Sequence, residues 1–121
     1  EVVAELKPST DVRLDADRLL AGEFQEISPS EHVLYKPRWG AFYRTALADF
    51  LESRSVDTVV VCGCNFPNCP RTTVYEASER DFRVVFVPDA TSGGYERGVR
   101  ELENIGVAVK ETDEAVEWIT A

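Results

Sequence analysis

Cys69 sits in the run Val61-Cys-Gly-Cys-Asn-Phe-Pro-Asn-Cys-Pro-Arg71, directly before Pro70 and a stretch that favours a helix. A thiol in that position faces unpaired backbone N–H groups and the positive end of a helix dipole, and both favour the thiolate. Attack by sulfur on a carbonyl carbon also needs a group to manage the proton and donors for the oxyanion. The loop amides between Gly63 and Cys69 are placed to be those donors. Lys36, at the end of an earlier strand, brings positive charge, and a carboxylate would complete the set as proton acceptor.

Each of these residues also has a plainer use. Cys69 would serve equally as a buried structural thiol, and Lys36 as a solvated lysine at a strand end. Cys62 reads as core packing and Cys64 as a turn residue whose backbone matters. A zinc site built from Cys62, Cys64, Cys69 and His32 is a further alternative, but C-x-C-x4-C departs from the usual paired spacing. The aromatic residues Trp39 to Tyr43 suit a subunit interface or a core as well as a pocket wall, and Arg71 is placed to pair with Glu76 or Asp89.

The elements that must position these groups follow from periodicity. Lys7 to Asp11 reads as a turn and Asp15 to Gly22 as a short helix at most. His32 to Lys36 is a short strand stopped by Pro37. Thr45 to Ser53 has Leu47, Phe50 and Leu51 at helical spacing. Val56 to Cys62 is an unbroken β-branched run, the pattern of a parallel strand buried on both faces. Pro70 to Arg80 is a helix with Pro at its first position. Arg83 to Val87 is a second buried strand, Tyr95 to Asn104 a helix capped by Gly106, Val107 to Lys110 a short strand and Glu114 to Ile119 a last helix. Strand and helix alternate, which predicts an α/β fold, three layers α/β/α around a mainly parallel sheet, with chemistry at the strands' C-terminal ends.

Composition sets the outer bounds. The 121 residues suit one α/β domain. The formal charge is −9, which argues against nucleic acid and anionic membranes as partners, since either requires a basic face. No apolar run approaches the ~20 residues of a membrane span, and no signal-peptide pattern opens the chain. Three cysteines within eight residues do not form a disulfide framework and point to a reducing, cytoplasmic setting. The chain begins at Glu1 and contains no Met, so it is expected to be part of a longer polypeptide.

Three segments carry a family resemblance: Lys36-Pro-Arg-Trp-Gly-Ala-Phe42; Asp57-Thr-Val-Val-Val-Cys-Gly63 followed by Asn68-Cys-Pro-Arg-Thr-Thr-Val-Tyr-Glu-Ala77; and Arg83-Val-Val-Phe-Val-Pro-Asp-Ala90. From about residue 30 onward the chain resembles the isochorismatase-like cysteine hydrolase superfamily, the amidohydrolase branch with its N-carbamoylsarcosine amidase and nicotinamidase relatives. The resemblance implies an Asp, Lys and Cys triad in which Cys69 is the nucleophile and Lys36 the lysine. It implies an oxyanion hole from the backbone N–H groups of Asn65 and Cys69, and a cis peptide between Cys64 and Asn65. Arg38, Trp39, Phe42, Phe66 and Asn68 are the candidates for a substrate pocket, aromatic walls with a few polar contacts.

The chain departs from the family pattern in one respect that bears on chemistry. The family's aspartate belongs to the first, central strand, and nothing in residues 1–31 matches it, so the first two strands of the family fold are expected to be absent here. The chain then corresponds to the C-terminal portion of a longer isochorismatase-like domain. Because members with the cysteine are mostly amidohydrolases, the resemblance implies hydrolysis of linear amide or N-carbamoyl C–N bonds through a thioester, with release of ammonia. The alternatives are a catalytically silent binding or scaffold protein and an isochorismatase-type hydrolase. No cofactor is implied. His32 lies too close to Lys36 to match the metal site of nicotinamidases, so any metal ligands would lie upstream. The partners implied are a small-molecule amide or carbamoyl substrate and further copies of the chain, as a dimer or tetramer.

Overall fold

A computed structural model describes residues 2–121. In chain order its elements are α1 (Ala16–Leu20), β1 (Gln25–Ser28), β2 (Glu31–Val33), α2 (Leu47–Glu52), β3 (Thr58–Gly63), α3 (Cys69–Ser78), β4 (Arg83–Thr91), α4 (Glu96–Glu103), β5 (Ala108–Val109) and α5 (Thr112–Thr120), with a 3-10 turn at Ala4–Leu6 before them. The β-branched runs form a parallel sheet in the order β3-β4-β5. Val59 lies opposite Val84, Val61 opposite Phe86, and Val85 opposite Ala108. The α/β class and the parallel sheet are therefore as the alternation predicts.

The core fills the space between this sheet and its helices. Phe66, Val74, Phe86 and Leu102 are the largest fully buried side chains, and Phe42, Val61, Ala77, Phe82, Val84 and Val107 complete the cluster. Burying each large apolar side chain contributes roughly 1.5–3 kcal/mol. Gly98 of α4 lets that helix approach the core, because a Cβ there would stand 2.5 Å from the Phe66 ring.

Two expectations about strands are corrected. His32 to Lys36 does not join the parallel sheet. The strand there stops at Val33 and pairs antiparallel with β1, Gln25 opposite Val33 and Glu26 opposite His32, in a separate two-stranded sheet. Aromatic contacts with α2 hold this hairpin: Phe24 stacks on Phe50 at 4.0 Å between ring centroids, His32 meets the same ring edge-on at 4.9 Å, and Arg54 lies 3.7 Å from its centroid. β1 carries a single apolar residue, Ile27, so its own pattern does not announce a strand.

The second correction concerns β3, which was expected to be buried on both faces. Val61 is buried, but Val60 is 37% exposed and Cys62 is exposed as well. Cys62 is therefore not a core residue. The reason is positional: β3 is an edge strand, and among the described residues nothing pairs with its second edge.

β4 runs beyond Val87 to Thr91, with a register shift that leaves Gly63 opposite Thr91. The extra residues include Pro88, which has no N–H to give a ladder, and the buried Thr91 hydroxyl donates to the Val87 carbonyl at 2.7 Å. Asp89 in this bulge accepts from the backbone N–H and the hydroxyl of Thr112, both at 2.9 Å, and so anchors the start of α5. Among the described residues no helix is long and apolar enough to cross a membrane.

Candidate active site

The turn between β3 and α3 is pinned from three sides. Its peptide bond between Cys64 and Asn65 is cis. The Phe66 ring enters the core between Phe86 (5.2 Å) and Tyr95 (5.4 Å), and its backbone N–H donates to the Ser92 carbonyl at 2.7 Å. Ser92 in turn donates to the Gly63 carbonyl at 2.9 Å. Gly93, at φ +70, brings the segment after β4 so close that a Cβ would stand 2.0 Å from the Asn65 side-chain oxygen. A non-glycine residue would be strained there by its dihedral alone.

Backbone donors in this turn are of two kinds. Those of Phe66 and Asn68 are occupied, the latter by the Asn65 carbonyl at 3.0 Å, and Pro67 has none. Those of Asn65 and Cys69 have no acceptor among the described residues. They are the two expected to hold an oxyanion. Asn65 is exposed and Cys69 half-buried, so water satisfies these two N–H groups where no ligand does.

Cys69, half-buried, is the first residue of α3. Thr73 and Glu76 follow it at i+4 and i+7, on the same helix face. The Thr73 hydroxyl accepts from the Ala41 N–H at 3.1 Å, and a Glu76 carboxylate oxygen accepts from the Phe42 N–H at 2.9 Å. Gly40 is buried against the same carboxylate, where a Cβ would lie 2.0 Å from Oε2. The helix that begins with Cys69 thus ties down the loop that begins with Lys36. Sequence reading missed both tethers, although their spacing from Cys69 was visible.

Lys36 is half-buried, and its ammonium donates to the carbonyls of Arg38 (2.8 Å) and Trp39 (3.0 Å). An ammonium has three donors, so one remains. Lys36 and Cys69 together border two cavities. One, of about 400 Å³, runs along the open side of β3 and is also lined by Val60, Cys62, Cys64 and Pro70. The other, of about 370 Å³, is closed by Pro37, Arg38 and Trp39.

The pocket candidates divide accordingly. Arg38 and Trp39 line the smaller cavity, and Phe42 reaches the larger one, though most of its ring belongs to the core. Phe66 is corrected: its ring is 0% exposed and cannot be a pocket wall, because the turn needs it as an anchor. Asn68 borders neither cavity. It is exposed, and its carbonyl accepts from the Thr72 N–H and hydroxyl. His32 packs on Phe50 and faces Glu26 at 3.7 Å, and among the described residues no three His, Cys, Asp or Glu side chains gather as metal ligands do.

Arg71 pairs with neither Glu76 nor Asp89. Its guanidinium donates to Glu101 at 2.6 Å and to the Tyr95 hydroxyl at 2.7 Å, fastening α3 to α4. The Arg71 hydrogen bond holds the Glu101 carboxyl below its ordinary pKa. A depressed carboxylate stabilises the fold above its unfolded pKa, about 4.3, and the contribution is lost as pH falls through the folded value. Unfolding midpoints measured from pH 6 to pH 3 should fall less steeply in Glu101→Gln than in the parent chain. Equal slopes would show that the pair contributes nothing.

The Glu76 tether has its own expected result. Glu76→Ala leaves the Phe42 N–H without its carboxylate and costs about 1–3 kcal/mol, whereas Glu76→Gln keeps an acceptor and costs less. Denaturant midpoints, with limited proteolysis read at residues 36–42, distinguish the two. If both variants match the parent, the tether is not what holds the loop.

Comparison with known proteins agrees with this architecture. The family model described as the isochorismatase domain matches residues 5–114. The N-carbamoylsarcosine amidase of Arthrobacter sp. is 32% identical over 114 residues, covering 89% of this chain and 43% of that protein. A protein of Arabidopsis thaliana named a probable inactive nicotinamidase is 33% identical over 82 residues, 64% of this chain and 42% of its own length. Among solved structures, an isochorismatase family protein from Desulfovibrio vulgaris superposes with a TM-score of 0.70 at 31% identity, covering 79% of this chain and 53% of that one. The chain spans less than half the length of these two curated relatives. With a parallel β/α unit that turns into a cysteine-headed helix and a domain match across nearly its whole length, the chain belongs to the isochorismatase family.

Proposed function

We propose that this chain supplies the nucleophile side of a cysteine-dependent amidohydrolase that cleaves linear amide or N-carbamoyl C–N bonds. The observation that carries the reading is that Cys69, at the head of α3, and Lys36 line the same two cavities, with the N–H groups of Asn65 and Cys69 in the adjoining turn lacking an acceptor among the described residues. Similarity to an N-carbamoylsarcosine amidase supports the substrate class.

The reaction runs in two halves. A carboxylate takes the Cys69 proton, and the sulfur attacks the amide carbon. The N–H groups of Asn65 and Cys69 hold the negative oxygen, while Lys36 adds positive charge beside it. The C–N bond breaks, the carboxylic acid returns its proton to the departing nitrogen, and ammonia leaves a thioester on Cys69. Water, deprotonated by the same carboxylate, then attacks the thioester, and Cys69 leaves as the free thiol.

Among the described residues no aspartate or glutamate lines either cavity. We infer that the carboxylate arrives on a strand that pairs with the free edge of β3 and belongs to chain outside residues 2–121. The exposed Val60 and Cys62 on that open strand support the inference, since β-branched edge strands without a neighbour are otherwise guarded.

The test is acid-quenched turnover of the intact protein with N-carbamoyl and linear amide substrates. The expected results are ammonia release and a covalent acyl adduct located on Cys69. Ammonia release with no adduct and no dependence on Cys69 would overturn the mechanism. The relative named as inactive favours a second reading, a silent binding protein. That reading predicts substrate binding without ammonia and without acylation.

A further inference from the structure

We propose that Cys64 is a resolving thiol for Cys69: a hydroperoxide oxidises the Cys69 sulfur, and Cys64 then closes a reversible disulfide across the turn between β3 and α3. The site shares the Cys69 sulfur with the amide chemistry above and adds a redox modification which that chemistry does not use.

Amide hydrolysis engages one of three cysteines. Cys62, Cys64 and Cys69 are all free thiols, and all three border the cavity of about 400 Å³ on the open side of β3. None of their sulfurs is tied up in a hydrogen bond among the described residues. Cys64 is exposed and Cys69 half-buried, so a molecule as small as a peroxide reaches both.

The two other cysteines are not equivalent partners for Cys69. Side chains alternate across a strand, so Cys62 lies on the face of the exposed Val60, opposite the buried Val61. Val61 shares the core with Val74 and Ala77 of α3. Cys62 is therefore turned away from the helix that Cys69 begins.

Cys64 stands one residue past the end of β3. Asn65 to Asn68 is a tight turn, closed by the Asn68 N–H donating to the Asn65 carbonyl at 3.0 Å. Such a turn holds its end Cα atoms within about 7 Å, and Cys64 and Cys69 are the residues immediately outside it. Disulfides span Cα separations of about 4.4–6.8 Å, the scale on which the turn draws its flanks together. The Arg71 N–H on the Phe66 carbonyl and the fully buried Phe66 ring keep the turn in place.

Cys69 heads α3, where backbone N–H groups favour an anion, and the thiolate is the species that attacks a peroxide. Its sulfur bonds to one oxygen of hydrogen peroxide as the O–O bond breaks. The other oxygen leaves as hydroxide and takes up a proton to become water, and Cys69 is left as the sulfenic acid. The Cys64 sulfur, its proton given up, then displaces the hydroxyl from the Cys69 sulfur, and a second water leaves. Two thiols and one peroxide thus become one disulfide and two waters. A reducing thiol restores both cysteines by exchange. Without a resolving partner, a sulfenic acid takes a second peroxide to the sulfinic acid, which thiols do not reduce. Cys64 therefore preserves the Cys69 sulfur, and the disulfide masks it until it is reduced.

The experiment treats the full-length protein with excess hydrogen peroxide and blocks the remaining thiols with iodoacetamide. Dithiothreitol then releases the oxidised thiols, which are labelled with N-ethylmaleimide and located by fragment ions. Maleimide should appear in equal amounts on Cys64 and Cys69, and the carboxamidomethyl group on Cys62. A non-reducing denaturing gel should show a single unlinked chain. In Cys64→Ser the maleimide on Cys69 should fall several-fold, replaced by sulfinic acid, whereas Cys62→Ser should match the parent.

Sulfinic acid on Cys69 of the parent with no maleimide on Cys64 overturns the proposal, as do three thiols that all stay reduced. Maleimide on Cys69 paired with Cys62, or a disulfide-linked dimer, overturns the assignment to Cys64. Equal recovery of Cys69 in Cys64→Ser overturns the protective role. Alkylation of Cys69 in protein never exposed to peroxide reads the nucleophile separately. Slow alkylation there counts against the amide mechanism, and fast alkylation with no disulfide counts against the resolving thiol alone.

Discussion

Cys69→Ala in the intact protein should reduce the proposed release of ammonia from amides by on the order of 10³-fold or more. In the proposed mechanism the loss of the sulfur removes the thioester route altogether, and what remains is whatever acceleration the donors of Asn65 and Cys69 would provide by holding the carbonyl oxygen. Cys69→Ser is nearly isosteric and should lose almost as much, because a hydroxyl at a site arranged for sulfur is a far weaker nucleophile. Folding should be little changed in either variant, since Cys69 is half-buried and makes no hydrogen bond through its sulfur among the described residues. Activity within a few-fold of the parent in Cys69→Ala would remove the residue from the mechanism.

The second large effect is expected at Phe66, which is not itself placed to touch substrate. Its ring is fully buried against Phe86 and Tyr95, and its N–H is fastened to Ser92. Phe66→Ala should cost about 3–5 kcal/mol from lost burial and the cavity left behind. It should also loosen the turn that carries the Asn65 and Cys69 donors. Phe66→Leu fills much of the space and should cost less. Equilibrium urea unfolding reads the stability, and the rate of Cys69 alkylation in the Leu variant reads the turn. A cost below ~1 kcal/mol for the Ala variant would mean that the ring does not anchor this part of the core.

The parallel unit was legible because its signals are local. The Val59 to Val61 run, Pro70 just inside α3 and the Val84 to Val87 run each report their own state without distant help. The position of Cys69 at the head of a helix followed from the same signals. Other features depend on residues far apart in the chain. The β1–β2 hairpin exists because Phe24 and His32 meet Phe50 across more than fifteen residues, and Gln25 to Ser28 alone carries no strand pattern.

Cys62 and Val60 were misread for a related reason. A β-branched run describes a strand that is buried when both neighbours are in place, and among the described residues β3 has one. Phe66 was taken for a pocket wall because an aromatic residue in a nucleophile turn suits either role, and only packing decides between them. Thr73 and Glu76 went unnoticed although i+4 and i+7 from Cys69 place them on its face. Their partners, the N–H groups of Ala41 and Phe42, lie more than thirty residues earlier.

One rate bears most directly on the role of Cys69. Iodoacetamide at pH 7, with the product assigned by fragment ions, should carboxamidomethylate Cys69 at least about 10-fold faster than a free model thiol, and faster than the exposed Cys62 of β3 and Cys64 of the turn. Cys69 reacting no faster than the model thiol, or more slowly than its two neighbours, would contradict a nucleophile at the head of α3.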